Sequence, residues 1–194
     1  MTAFLAATFF LLITPGPGVL TTAGVGAAYG FRAGIPYMLG IVLGTLVVMA
    51  AVATGLAAFL LSYPPLRTIL LTGSAAYLLY IAYRIATSDT GIAIAHAKRP
   101  LGFFNGVGLQ VINPKAYAVM TTLFSGFAFY PQSTVIEATI KTFIFMAISF
   151  PVHITWLWVG TTIKRLALGK TAARTVNMLM AAAMLAVVAL ALLS

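Results

Sequence analysis

Long apolar runs recur along this chain so regularly that few residues fall outside one. A helix needs about 20 apolar residues to cross the hydrocarbon core of a bilayer. Six stretches reach that length, at about 3–30, 35–62, 66–86, 103–129, 135–160 and 173–193. Only 7% of the residues are charged and 62% are hydrophobic, with a mean hydropathy of +1.08. That is too little charge to coat a soluble domain, so the chain reads as an all-α integral membrane protein. Met1-Thr2-Ala3 carries no basic stretch, and the first run is expected to be a span rather than a cleavable signal.

The gaps between runs have their own signals. Gly30-Phe31-Arg32-Ala33-Gly34 and Tyr63-Pro64-Pro65 read as turns. Residues 87–101 hold the polar Thr87-Ser88-Asp89-Thr90 and the basic Lys98-Arg99-Pro100, Pro131-Gln132-Ser133-Thr134 caps the next helix, and Lys164 to Arg174 form the last loop. The net charge of +9 is gathered in these short gaps, as charges facing anionic lipid headgroups are, so no nucleic-acid partner is expected. Eight cations (Arg32, Arg84, Lys98, Arg99, Lys164, Arg165, Lys170, Arg174) fall on one side, and Arg67 and Lys141 on the other. The positive-inside bias then places both termini outside the cytoplasm.

Cysteine is absent, which excludes disulfides, thiolate metal sites and thiol redox chemistry. Two separated histidines (His96, His153) and two acidic residues (Asp89, Glu137) make no metal-binding cluster, so neither metal nor cofactor is expected. An intramembrane enzyme or redox carrier is disfavoured for the same reason. Export of a metal cation is disfavoured too, because soft ions want thiolates and hard ions several carboxylates.

Within the first run lies ITPGPGVL, residues 13–20, with two prolines and two glycines in four consecutive positions. The fourth run contains Ile112-Asn113-Pro114-Lys115, and aligning Pro15 with Pro114 also superposes Ile13 on Ile112 and Thr22 on Thr121. Each break falls near the centre of the first helix of a three-helix group. Because three is odd, the second group enters the membrane from the opposite side. The expected fold is six transmembrane helices in two inverted three-helix repeats, with helices 1 and 4 broken at proline. It forms one transmembrane domain over 1–194: repeat one about 1–86, a cytoplasmic linker about 87–102, repeat two about 103–194. Matched interruptions of this kind point to a transporter's midplane site.

Proline lacks an N–H and clashes one turn back, so each break frees backbone carbonyls, and a new half-helix beginning at Pro17 or Pro114 has unpartnered amides. Such backbone survives in a bilayer only where it is buried or lines a wet cavity. Donors for an anion and acceptors for a cation then lie close together, as a zwitterionic amino acid requires. Lys115 stands in the first turn after Pro114, where a lysine costs roughly 2.5–3.5 kcal/mol on insertion scales and opposes the helix dipole. Its partner is either a substrate carboxylate or carbonyls freed across the bundle. The substrate-binding candidates are Thr14, Pro15, Gly16, Pro17, Gln110, Asn113, Pro114 and Lys115. Gln110 shares a helix face with Asn113 at i, i+3.

These residues resemble the LysE/RhtB family of amino-acid exporters. The resemblance rests on Thr14-Pro15-Gly16-Pro17, Gly34 with Gly40-Ile41-Val42-Leu43-Gly44, Gly73-Ser74-Ala75-Ala76-Tyr77-Leu78, and Phe103-Phe104-Asn105-Gly106 leading to Asn113-Pro114-Lys115, in that order over nearly the whole chain. It implies a gradient-driven exporter (antiporter) of amino acids or close derivatives in the bacterial inner membrane. Many members carry an acidic residue where this chain has Thr45, so substrate or coupling differs here. Export of another small solute, or a non-transporting membrane subunit, is the alternative.

Other features have two readings each. His153 is either a proton relay or a neutral histidine hydrogen-bonded to a neighbouring helix. Thr14, Thr21 and Thr22 either offer hydroxyls at the break or bond their own backbone. Tyr77, Tyr80 and Arg84 form a stripe that flanks the substrate path or anchors the interface. Gly26–Gly30, Gly40–Gly44 and Gly102–Gly106 are spacings that let helices approach, within one protomer or between two in a homodimer.

Overall fold

The computed structural model describes residues 1–14, 16–86 and 101–165, with scattered helical residues between 171 and 185. Its elements are α1 (Thr2–Ile13), α2 (Pro17–Tyr29), α3 (Phe31–Ala53), α4 (Leu56–Leu61), α5 (Pro64–Ala86), α6 (Phe103–Ile112), α7 (Pro114–Gly126) and α8 (Thr134–Arg165). No strand occurs among the described residues. Pro15, Asp89, His96, Lys98, Arg99 and Lys170, and most of the span expected at 173–193, lie outside them.

Helices α3 and α8 are each long and apolar enough to cross a membrane, and α1 with α2 qualifies as a pair bent by 49°. Large apolar side chains cover the outside: Phe10, Phe104 and Phe143 are 65%, 84% and 77% exposed. Surface of that kind is stable only against lipid or another apolar partner.

Several expected boundaries shift. The second run does not continue helically to residue 62, because Gly55 adopts φ 75° and separates α3 from α4. Between α2 and α3 only Gly30 leaves the helix, at φ 88°, so Arg32 lies in the first turn of α3 rather than in a loop. Gly30 is therefore a turn residue, and nothing packs within 4 Å of where its Cβ would be. Lys141, counted above as a loop cation, sits inside α8 and is 2% exposed. It is held by Glu137 at 2.7 Å and donates to the Phe124 carbonyl at 2.8 Å.

The tightest crossings are made by glycine. A side chain on Gly40 would strike the Phe103 carbonyl, and one on Gly106 would strike that of Tyr37, so α3 and α6 touch backbone to backbone. Gly26 and Gly160 play the same part between α2 and α8. Such approach gains dispersion contacts that longer side chains would prevent.

Two cores result. One gathers Leu20, Val25, Tyr37, Ile41 and Leu109. The other gathers Phe4, Val48, Met49, Val119, Met120, Leu123 and Phe145. The first takes residues after the break at 14–16 and before the break at 113, whereas the second takes residues before the first break and after the second. Half-helices α1 and α7 thus contribute to one core, and α2 and α6 to the other.

Candidate functional site

The chain leaves helical geometry at both breaks for local reasons. Gly16, at φ −153° and ψ 175°, is the N-cap of α2 and Pro17 its first helical residue; Asn113, at φ −78° and ψ 109°, is the N-cap of α7 and Pro114 its first residue. By place in the helix, Pro114 therefore corresponds to Pro17, not to Pro15 as the alignment of motifs had it. A proline at that position loses no hydrogen bond, because the first amide would be unpartnered anyway.

One cavity of about 50 Å³ lies between the breaks. Thr14, Gly16, Pro17, Gln110, Asn113, Lys115 and His153 all line it, with Gly18 and the apolar Leu11, Leu12, Val19, Val119, Met120 and Phe145. Pro114 does not line it and acts only by starting α7. The volume holds on the order of three to five waters, so an amino acid enters only if the two breaks separate somewhat.

A chain of polar contacts fixes the walls. Lys115 donates its backbone N–H to Asn113 Oδ1 (3.1 Å), and Asn113 Nδ2 donates to Gln110 Oε1 (3.2 Å). Gln110 Nε2 donates to Thr45 Oγ1 (2.9 Å), which donates onward to the Ile41 carbonyl (2.9 Å). Thr45, Gln110 and Asn113 are all buried, so each contact is made where an unmade one is costly. Lys115 Nζ crosses to the other break and donates to the Thr14 carbonyl at 2.6 Å. Its stem lies over Gly16, where a Cβ would stand 2.7 Å from Lys115 Cδ and 2.9 Å from Nζ.

Each break joins a helix C-terminus to a helix N-terminus, whose partial charges of about half a unit oppose one another. Among the described residues the Lys115 ammonium has no carboxylate partner. Glu137, the one acidic residue described, is engaged with Lys141.

Of the two readings of the threonines at the first break, the contacts match bonding to their own backbone. Thr14 Oγ1 donates to Phe10 O (2.6 Å), Thr21 Oγ1 to Pro17 O (2.6 Å) and Thr22 Oγ1 to Gly18 O (2.7 Å), each one turn back on its own helix. What Thr14 presents across the cavity is its carbonyl. His153 is 3% exposed, and its Nδ1 lies 2.8 Å from the Ser149 carbonyl. That oxygen can only accept, so Nδ1 donates to it, with Ser149 Oγ 3.3 Å from the same nitrogen, and in the neutral ring Nε2 is then the acceptor. Two residues were missed in the sequence: Gly18 on the wall, where a Cβ would stand 3.2 Å from Gln110 Oε1, and Thr45 behind it as partner of Gln110. The i, i+3 spacing signals Asn113 with Gln110, but nothing in the sequence signals a contact across 65 positions.

Apolar-surfaced helices around a small cavity that holds a lysine ammonium fit a membrane transport protein. The chain belongs to the LysE type translocator family, which it matches over residues 9–194. It is therefore a translocator of the inner membrane and not an enzyme. Among curated relatives, the cysteine/O-acetylserine efflux protein of Salmonella typhimurium is 36% identical over 149 residues, 76% of this chain and 75% of the relative. Its namesake in Escherichia coli is 30% identical over 168 residues, 86% of this chain and 85% of the relative. No solved structure matches the chain.

Proposed function

We propose that the protein exports small neutral amino acids, cysteine and O-acetylserine among them, from the cytoplasm by alternating access around the cavity between Gly16–Pro17 and Asn113–Lys115. The carrying observation is the Lys115 ammonium, which reaches across both breaks and meets no carboxylate among the described residues. A substrate carboxylate supplies that charge. The Thr14 carbonyl, freed as Lys115 turns to the substrate, accepts from the substrate ammonium, so one zwitterion replaces one internal contact at both ends.

No acidic residue lines the cavity among the described residues, which favours neutral side chains over cationic ones, since a second positive charge beside Lys115 would lie uncompensated. The polar contacts from Asn113 to Thr45 and the apolar Val119, Met120 and Phe145 suit a short, weakly polar side chain.

The six-span, two-repeat arrangement belongs to this proposal, with repeats about 1–86 and 103–194 joined by the linker about 87–102 and rocking against each other. Both termini then face away from the cytoplasm. A second reading, that Lys115 only caps the Thr14 carbonyl, draws on the 2.6 Å contact itself. Efflux of labelled L-cysteine and L-lysine from loaded proteoliposomes tests the proposal. Efflux of cysteine alone supports it, and efflux of neither, or of lysine preferentially, refutes it.

A further inference from the structure

The contact between Lys115 and Thr14 accounts for a substrate's carboxylate and for one N–H of its ammonium. An ammonium carries three donors, and each that leaves water on binding needs an acceptor. The Gln110 and Asn113 side-chain oxygens on the wall each accept one bond, from Asn113 Nδ2 and from the Lys115 amide, and keep one lone pair.

His153 is different. Its Nδ1–H is committed to the Ser149 carbonyl, which orients the ring and makes Nε2 a lone-pair acceptor. Nε2 lies 3.7 Å from where a Cβ on Gly18 would be, on the cavity wall, and no hydrogen bond to it occurs among the described residues. His153 is 3% exposed, so a partner for that nitrogen must come from the cavity it lines. A buried acceptor aimed at a cavity without a partner calls for a donor from a ligand. Gly16 lies against Lys115 and Gly18 against His153. Lys115 and His153 thus stand over positions two residues apart at the start of α2.

We infer that His153 Nε2 is a specificity-determining acceptor for the substrate's α-ammonium, so that the site binds free α-amino acids and discriminates against analogues that lack the amine. This deepens the exporter reading and rests on it. The glycine at position 18 fits the same role, because it lines the cavity and a Cβ there would meet Nε2 at 3.7 Å. His153 is thus a binding residue at this step, whether or not it also carries protons.

The test compares L-cysteine with 3-mercaptopropionate, the same molecule without its amine, as competitors of labelled L-cysteine efflux from proteoliposomes. Two variants separate binding from support. His153→Asn keeps a donor in the place of Nδ1 for the Ser149 carbonyl and removes Nε2, whereas His153→Gln keeps an acceptor near Nε2 and gives up the Nδ1 position. Loss of a hydrogen bond to a charged group corresponds to about 10- to 150-fold in affinity. The ratio of the two inhibition constants is expected to fall by about that factor in His153→Asn and to be largely kept in His153→Gln. Discrimination retained in both variants, lost equally in both, or lost only in His153→Gln overturns the inference. Absence of cysteine efflux by the wild-type protein would instead refute the exporter reading.

Discussion

Replacing Lys115 with methionine separates a substrate-binding ammonium from a merely structural one, because the two roles have different magnitudes. Truncating one partner of a buried charge pair costs about 2–5 kcal/mol, much of it from the charge left unpaired. For a bound carboxylate that is about 30- to 5,000-fold in affinity at roughly 1.4 kcal/mol per decade. The folded protein responds much less. Losing the donor to the Thr14 carbonyl costs about 1.5–3 kcal/mol for a hydrogen bond to a charged group. Removing an ammonium from mid-membrane returns about 2.5–3.5 kcal/mol on insertion scales. The two nearly cancel, so Lys115→Met is expected to melt close to wild type while efflux of labelled cysteine, followed as initial rate against internal concentration, loses at least about 30-fold in apparent affinity. A variant with wild-type affinity and a markedly lower melting temperature would refute the reasoning and leave Lys115 as a cap on a free carbonyl.

Gly16→Ala places a Cβ against Lys115 Cδ and Nζ, a flexible side-chain end that can move aside; stability should change by less than about 1 kcal/mol while efflux falls as in Lys115→Met, read by melting and transport on one preparation. Thr45→Val removes the acceptor of Gln110 Nε2 and leaves a buried donor unmade, so a loss of about 1–3 kcal/mol in stability is expected by thermal melting in detergent. Gly106→Ala drives a methyl into the Tyr37 carbonyl and should cost about 1–3 kcal/mol or more, whereas Gly108→Ala, with nothing within 4 Å, should be neutral or stabilising by up to about 1 kcal/mol.

How far the sequence foreshadows this arrangement differs from element to element. Pro17 and Pro114 are legible because proline has one natural place at a helix start, and Lys115 because a cation in an apolar run is expensive wherever it falls. The carbonyl that Lys115 reaches is not legible, since every residue carries the same main-chain oxygen and only the packing of α1 against α7 selects Thr14. Thr45 stands out in the sequence as a departure from the family pattern. Its hydroxyl's use by Gln110 depends on the close approach of α3 to α6, where Gly44 lies 2.8 Å from Gln110 Cβ by its would-be Cβ. Spacing alone pairs Gly26 with Gly30, yet Gly26 meets the Leu157 carbonyl while Gly30 turns the chain. Periodicity locates a face along a helix, but the partner of that face is a tertiary fact.

The family places this chain among translocators; the walls of one small cavity carry the claim about where the translocated molecule binds. The chain has no cysteine, so a single thiol can be introduced as a reporter without background. Val119→Cys lines the cavity, and Phe143→Cys is a lipid-facing control. The rate of modification by a small methanethiosulfonate, with and without a saturating thiol-free amino acid such as O-acetylserine, is the decisive measurement. Slower modification of Val119→Cys with ligand, and an unchanged rate at Phe143→Cys, is the predicted result. Equal rates at Val119→Cys with and without a ligand that the same preparation transports would contradict the account.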